Sequence, residues 1–186
     1  GDHLYLHSFP TRRSSDLMDD WRKTTDEDMD EEEILLRNKC RNIDNDKLKK
    51  IIPIWTTNYY EMQLSTYHPN ESNRVFVQCN LSKLIENSEN LDNVIFNKHF
   101  NGFWPDESRF ATTIERWINK EPVDPPVIEM GNKKTFKIVD GRHRTILAQY
   151  IGVEKITISI PRYLIEKAKA LIDATIINID DLQQKL

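Results

Sequence analysis

The stretch Thr135–Pro161, TFKIVDGRHRTILAQYIGVEKITISIP, decides how this chain is read. Phe136 and Ile138 alternate with Lys137, the two-residue period of a half-buried strand. Asp140-Gly141 interrupts that alternation, because glycine admits the backbone angles that a sharp strand-to-helix turn needs. From Arg142 to Ile151 the period becomes helical, with Ile146, Leu147, Tyr150 and Ile151 on one face. Gly152 falls where a left-handed cap is expected, and Ile156, Ile158 and Ile160 restore the strand alternation over Lys155–Ile160. The order is strand, polar turn, helix, glycine stop, strand. Backbone N–H groups at the helix start, the positive end of its dipole and the guanidiniums of Arg142 and Arg144 would converge at the turn. Such a convergence suits phosphate.

Outward from this unit, Arg74–Gln78 reads as a strand, and Asn80–Leu84 as a turn into a short helix. Asn87–Gly102 reads as irregular, with Val94, Ile95 and Phe96 as one buried anchor. A helix is predicted over Ser108–Lys120, capped by Ser108. Phe110, Ile114, Trp117 and Ile118 form its apolar stripe, and Arg109, Glu115 and Arg116 face water. The proline-rich Glu121–Pro126 is an extended connector. Val127–Met130 and Thr135–Val139 flank the hairpin loop 131–134. A helix near Arg162–Ala174 and a last strand over Ile176–Ile179 close the chain.

The remainder divides in two. Gly1–Leu17 lacks periodicity, and its HSFPTRRSSDL phrase resembles translated sequencing-adapter DNA, so it is read as a non-native leader with Met18 the expected start. Residues 18–73 are read as an acidic, partly helical extension. Seven of the eight residues Asp26–Glu33 are Asp or Glu, a block that ordinarily stays solvated or opens a helix. Helices are predicted from Glu31 and over Asp46–Ile52, and Trp55, Tyr59, Tyr60 and Tyr67 are assigned to the edge of a core. Residues 74–186 are the expected main domain.

Composition narrows the function classes. The net charge of −4 proposes no broad nucleic-acid-binding face, so a basic footprint would have to be local. No run approaches the ~20 apolar residues of a membrane helix. The two cysteines, Cys40 and Cys79, have neither metal-ligand spacing nor a disulfide framework, which fits a reducing cytoplasm.

VDGRHR, the helix after it and the Gly-x-x-x-Ile-x-Ile strand resemble the ParB/sulfiredoxin-like superfamily. That group holds the N-terminal domains of ParB partition proteins, the sulfiredoxins and a set of free-serine kinases. The opening strand with its Ser-Lys-Leu turn (Val75–Leu84) and the helix followed by Pro-Pro-Val-Ile resemble further family elements. The resemblance runs over roughly Arg74–Ile172. It implies an α+β (mixed α/β) domain, a small mixed sheet packed by helices, in a bacterial or phage protein. It also implies a nucleotide-binding turn at Asp140, Gly141, Arg142, His143, Arg144 and Thr145.

Within the family, sulfiredoxins carry a cysteine where Arg142 stands, so sulfur reduction is not expected. ParB proteins add a helix-turn-helix reader, for which the residues after Pro161 are too few. The Asp-Gly-His-His-Arg turn of the serine kinases is most similar to Asp140–Arg144. The resemblance therefore implies ATP, ADP or CTP as ligand, with Mg2+, and phosphoryl transfer or nucleotide hydrolysis as possible chemistry. Such chemistry needs a carboxylate base, for which Glu107, Asp106 and Glu129 are the candidates. His143 either adds a donor, shuttles a proton or packs at the helix start. Two alternatives stay open. One is a DNA-associated nuclease or DNA-binding module, with a basic surface across Lys133, Lys134, Lys137, Arg142 and Arg144. The other is a non-catalytic protein-interaction module that works through the acidic arm and the Tyr/Trp-rich segment.

Overall fold

A computed structural model of the chain describes residues 31–58, 62, 73–92, 94–96 and 104–177. The leader, most of the acidic arm, Tyr59, Tyr60, Tyr67 and the end of the last expected strand lie outside these residues. In chain order the elements are α1 (Glu31–Arg41), α2 (Asn45–Leu48), β1 (Arg74–Asn80), α3 (Leu81–Glu86), β2 (Ser88–Glu89) and α4 (Trp104–Ile118). They continue with β3 (Val127–Met130), β4 (Phe136–Asp140), α5 (Arg142–Tyr150), β5 (Lys155–Pro161), a 3-10 turn (Arg162–Leu164), α6 (Ile165–Ile172) and β6 (Thr175–Ile176). The fold is α+β, with one mixed sheet in the order β2-β4-β3-β5-β1-β6.

β5 and β1 are the sheet's axis. They pair antiparallel along their whole length, with Val77 opposite Ile158. Ile156, Ile158 and Ile160 are completely buried, and Thr157 and Ser159 on the other side of the strand are buried as well. Each isoleucine contributes on the order of 1.5–3 kcal/mol by leaving water. β3 lies parallel to β5, with Val127 opposite Ser159, and forms the expected hairpin with β4.

Arg74 ties three of these strands together. Its Nε donates to Ser159 Oγ (3.0 Å), one terminal nitrogen donates to the carbonyls of Ile128 (2.7 Å) and Ser159 (2.9 Å), and the other pairs with Glu129. A guanidinium this buried is tolerated because carbonyls, hydroxyl and carboxylate surround it.

Several boundaries depart from the sequence reading. α4 begins four residues before Ser108, at Trp104, since Pro105 suits the first turn of a helix. Ser108 therefore does not cap it. Ile118 is 43% exposed rather than part of a closed stripe, and Ile95 is 77% exposed while Val94 and Phe96 alone are the buried anchor. Segment 87–102 is not wholly irregular: Ser88–Glu89 pairs parallel to β4, a strand too short to carry a period.

The chain divides between Leu35 and Leu36. Residues 36–58, read as extension, share the core of the main domain. Cys40 and Leu48 join the same buried cluster as Ile114, Ile158 and Leu164. Thr56 N–H donates to Val123 O (2.9 Å) and Val123 N–H to Ile54 O (3.0 Å), while Trp55 meets Trp117 edge-on at 5.3 Å.

Two outcomes follow from this packing. Replacing Arg74 with Met, which leaves Glu129 and two strand carbonyls without their donor, is expected to cost about 3 kcal/mol or more in urea unfolding. Burial pushes both thiols up to about 12. Cys40 and Cys79 are accordingly expected to resist a thiol reagent at pH 8 until the chain is unfolded, and fast labelling of the native protein would contradict their placement.

Candidate functional site

β4 delivers the chain to Gly141, which takes φ 83°, and α5 starts at the next residue. Only glycine fits here, for two reasons. The left-handed angle strains any L side chain, and an added Cβ would lie 2.8 Å from Pro126 Cα. The turn is locked from below by Thr145, which is fully buried. Its hydroxyl and its N–H both donate to Gly141 O, at 2.9 and 3.0 Å. Expected as a ligand contact, Thr145 instead fixes the turn. At the far end of α5, Gly152 takes φ 86°, the left-handed stop read from the sequence, with open space around it.

The turn forms one wall of a cavity of about 570 Å3. Asp140, Gly141, Arg142, His143 and Arg144 line this wall, so five of the six expected ligand residues are gathered there. The opposite wall is a face of α4: Ser108, Arg109, Thr112, Thr113 and Arg116. These positions are spaced three and four apart, so they project from one side of the helix. Val123 and Asp124 of the proline-rich connector and Val139 of β4 complete the lining. Four guanidiniums thus face two carboxylates in a chain whose overall charge is negative.

The electrostatic partners are specific. Arg144 donates to Asp140 Oδ2 (2.9 Å), an i,i+4 pair, while its Nε is buried with no acceptor among the described residues. Arg116 lies 3.7 Å from Glu121. His143 is buried, its ring edge-on to Phe110 at 5.2 Å, so it both packs at the helix start and lines the cavity. Among the described residues no side chain caps α5, and its first intrahelical bond is Thr145 N–H to Gly141 O, so the N–H groups of the opening turn precede the ladder. Such an arrangement is suited to an anion with several oxygens, which can be met from both walls.

The expected bases do not come to this cavity. Glu107 is buried in a pair with Arg37 and a second with Arg41 at 3.2 Å. Glu129 is held by Arg74. The Asp106 side chain lies outside the described residues. The carboxylates that line the cavity are Asp124 and Asp140. Sequence reasoning also missed Arg109 and Arg116, assigned to open water. Arg109 is exposed and Arg116 half-buried, yet both border the hollow. The signal was present in Ser108-Arg109-x-x-Thr112-Thr113-x-x-Arg116, a polar face at helical spacing opposite the apolar one.

The residues expected to form a basic surface for DNA run along β4, with Lys137 within the strand. Lys133 and Lys134 lie in the hairpin loop, and Arg142 and Arg144 lie beyond the other end of β4. Five residues of strand separate them, roughly 15 Å at about 3.3 Å per residue. Glu89 accepts from the N–H groups of Lys133 and, next, Asn132 at the lysine end, which lowers its pKa.

The site and the sheet define an α+β domain with an arginine-lined cavity at a strand-to-helix turn. No family model, curated protein or solved structure matches the chain.

Gly141→Ala and Gly152→Ala separate steric contact from backbone strain. Both positions have positive φ, but only Gly141 abuts Pro126. Gly152→Ala is expected to cost about 1 kcal/mol and Gly141→Ala at least about 2 kcal/mol in urea unfolding. Equal losses would mean that the close approach does not hold the turn.

Proposed function

We propose that this domain binds the phosphates of a nucleotide, ATP, ADP or CTP, in the cavity between α4 and the β4–α5 turn. The observation that carries the reading is the convergence of Arg109 and Arg116 with Arg142 and Arg144 around one hollow. Its volume of about 570 Å3 falls within the usual range of small-molecule sites. The start of α5 adds backbone donors and the favourable end of a dipole. The order of elements and the Asp140–Arg144 turn resemble the ParB/sulfiredoxin-like superfamily, and the resemblance supports the same ligand class.

Roles can be given to the lining residues. Arg142 and Arg144 hold phosphate oxygens at the turn, and Arg109 and Arg116 neutralise charge from the opposite wall. Asp140 orients Arg144 through their 2.9 Å bond. Among the described residues no cluster of three or more His, Cys, Asp or Glu stands ready for a metal ion. Mg2+ would therefore arrive with the phosphates and take at most a carboxylate or two from the protein, its ordinary mode of binding. Asp124 and Asp140 are the two that line the cavity. If phosphoryl transfer occurs, positioning and charge neutralisation are most of what it requires, and Asp124 is the carboxylate to test as its base.

Titration with ATP, ADP and CTP, with and without Mg2+, tests the reading. Arg142→Ala and Arg109→Ala, one from each wall, are each expected to weaken binding about tenfold or more, the worth of a charged hydrogen bond. Failure of the unaltered protein to bind any of the three, or variants that bind as it does, would contradict the assignment.

A further inference from the structure

The end of α4 and segment 42–54 enclose a second hollow, a groove of about 700 Å3 that shares no lining residue with the arginine cavity. Its apolar lining is Ile43, Ile51, Ile52, Ile54, Trp117 and Ile118, of which Trp117 is 3% exposed while Ile52 and Ile118 stand at 78% and 43% exposure. The Trp117 ring offers only hydrocarbon to the groove, because its Nε1–H already donates to Ile54 O (3.3 Å). Adjacent exposed isoleucines in a concave surface are costly in water and mark an interaction site rather than ordinary surface.

The rim carries a definite charge. Lys47, Lys50 and Lys120 border the groove and are all exposed. Asp44 is the single carboxylate among the lining residues, and it is engaged as the cap of α2, accepting from Asp46 N–H at 2.8 Å. The surface is therefore an apolar trough edged by cations in a chain of net charge −4. Branched aliphatic walls accept leucine-like side chains, and the one ring among the lining residues, Trp117, is too buried to serve as a stacking platform for a base.

We propose that this groove docks an acidic amphipathic helix of a partner protein. Apolar side chains at helical spacing enter between Ile52 and Ile118, and carboxylates on the flanks of the same helix meet Lys47, Lys50 and Lys120. This inference stands apart from the phosphate reading and does not rest on it.

The test uses the full chain and a fluorescent synthetic helix with leucines at i, i+3, i+4 and i+7 and glutamates between them. Comparison probes are a scrambled peptide of the same composition, the same helix with lysines for glutamates, and dodecanoate. Binding is read by anisotropy, with the lipid as competitor. The acidic helix is expected to bind at least about tenfold more tightly than either peptide control and to weaken as salt rises. Ile52→Ser and Lys50→Glu, both at exposed positions, are each expected to reduce that binding about tenfold while the thermal melt stays unchanged. Equal binding of the scrambled or lysine peptide, no binding, displacement by low dodecanoate or unaffected variants would overturn the proposal.

Discussion

The close approach of Gly141 to Pro126 sets the geometry on which the rest of the site depends. At this contact the end of β4 presses against the proline-rich connector that follows α4. One short link therefore fixes three things at once: where α5 starts, how Asp124 is presented, and how far the arginines of the turn stand from those of α4. A backbone-to-backbone contact of this kind cannot be relaxed by a side-chain rotation, unlike the neighbouring approach of Arg144, which involves only the far end of a long side chain. Thr145 adds the second constraint, since both of its donors end on the Gly141 carbonyl. These contacts lie within the chain itself, the kind of preorganisation that the proposed phosphate site would use.

The charge distribution gains meaning from those contacts. A chain of net charge −4 would ordinarily repel a polyanion. Here four arginines are gathered with two aspartates around one concave surface. Field lines focus in a cleft with low-dielectric walls, so local charge and not the total governs attraction. The other strong pairs, Arg74 with Glu129 and Arg37 with Glu107, are largely buried and belong to the framework.

Much of the fold was legible because strands β1, β4 and β5 and helix α5 carry clear periods and Gly141 and Gly152 punctuate them. The hairpin at Gly131 and the left-handed stop at Gly152 follow from local rules, whereas the α+β class was what the family resemblance implied. What escaped the sequence is non-local. β2 is two residues long and exists only because β4 lies beside it. Residues 36–58 join the core through Cys40, Leu48 and the bonds of Ile54 and Thr56 to Val123, contacts between segments about seventy residues apart that no window of sequence contains. The site was half legible. Asp140–Arg144 announced itself as a turn, whereas Arg109 and Arg116 became part of the cavity only once α4 was packed opposite α5. Glu107 and Glu129 have suitable chemistry, but their arginine partners lie far away in the chain and hold them elsewhere.

The most direct measurement is amide chemical-shift mapping by NMR as ATP is added to the intact chain. If the cavity holds phosphate, the N–H signals of Arg142, His143 and Arg144 move together with those of Arg109 and Thr113 across the hollow, while those of the Lys133–Lys134 loop stay in place. Shifts confined to that loop, or no shifts at saturating nucleotide, would contradict the account.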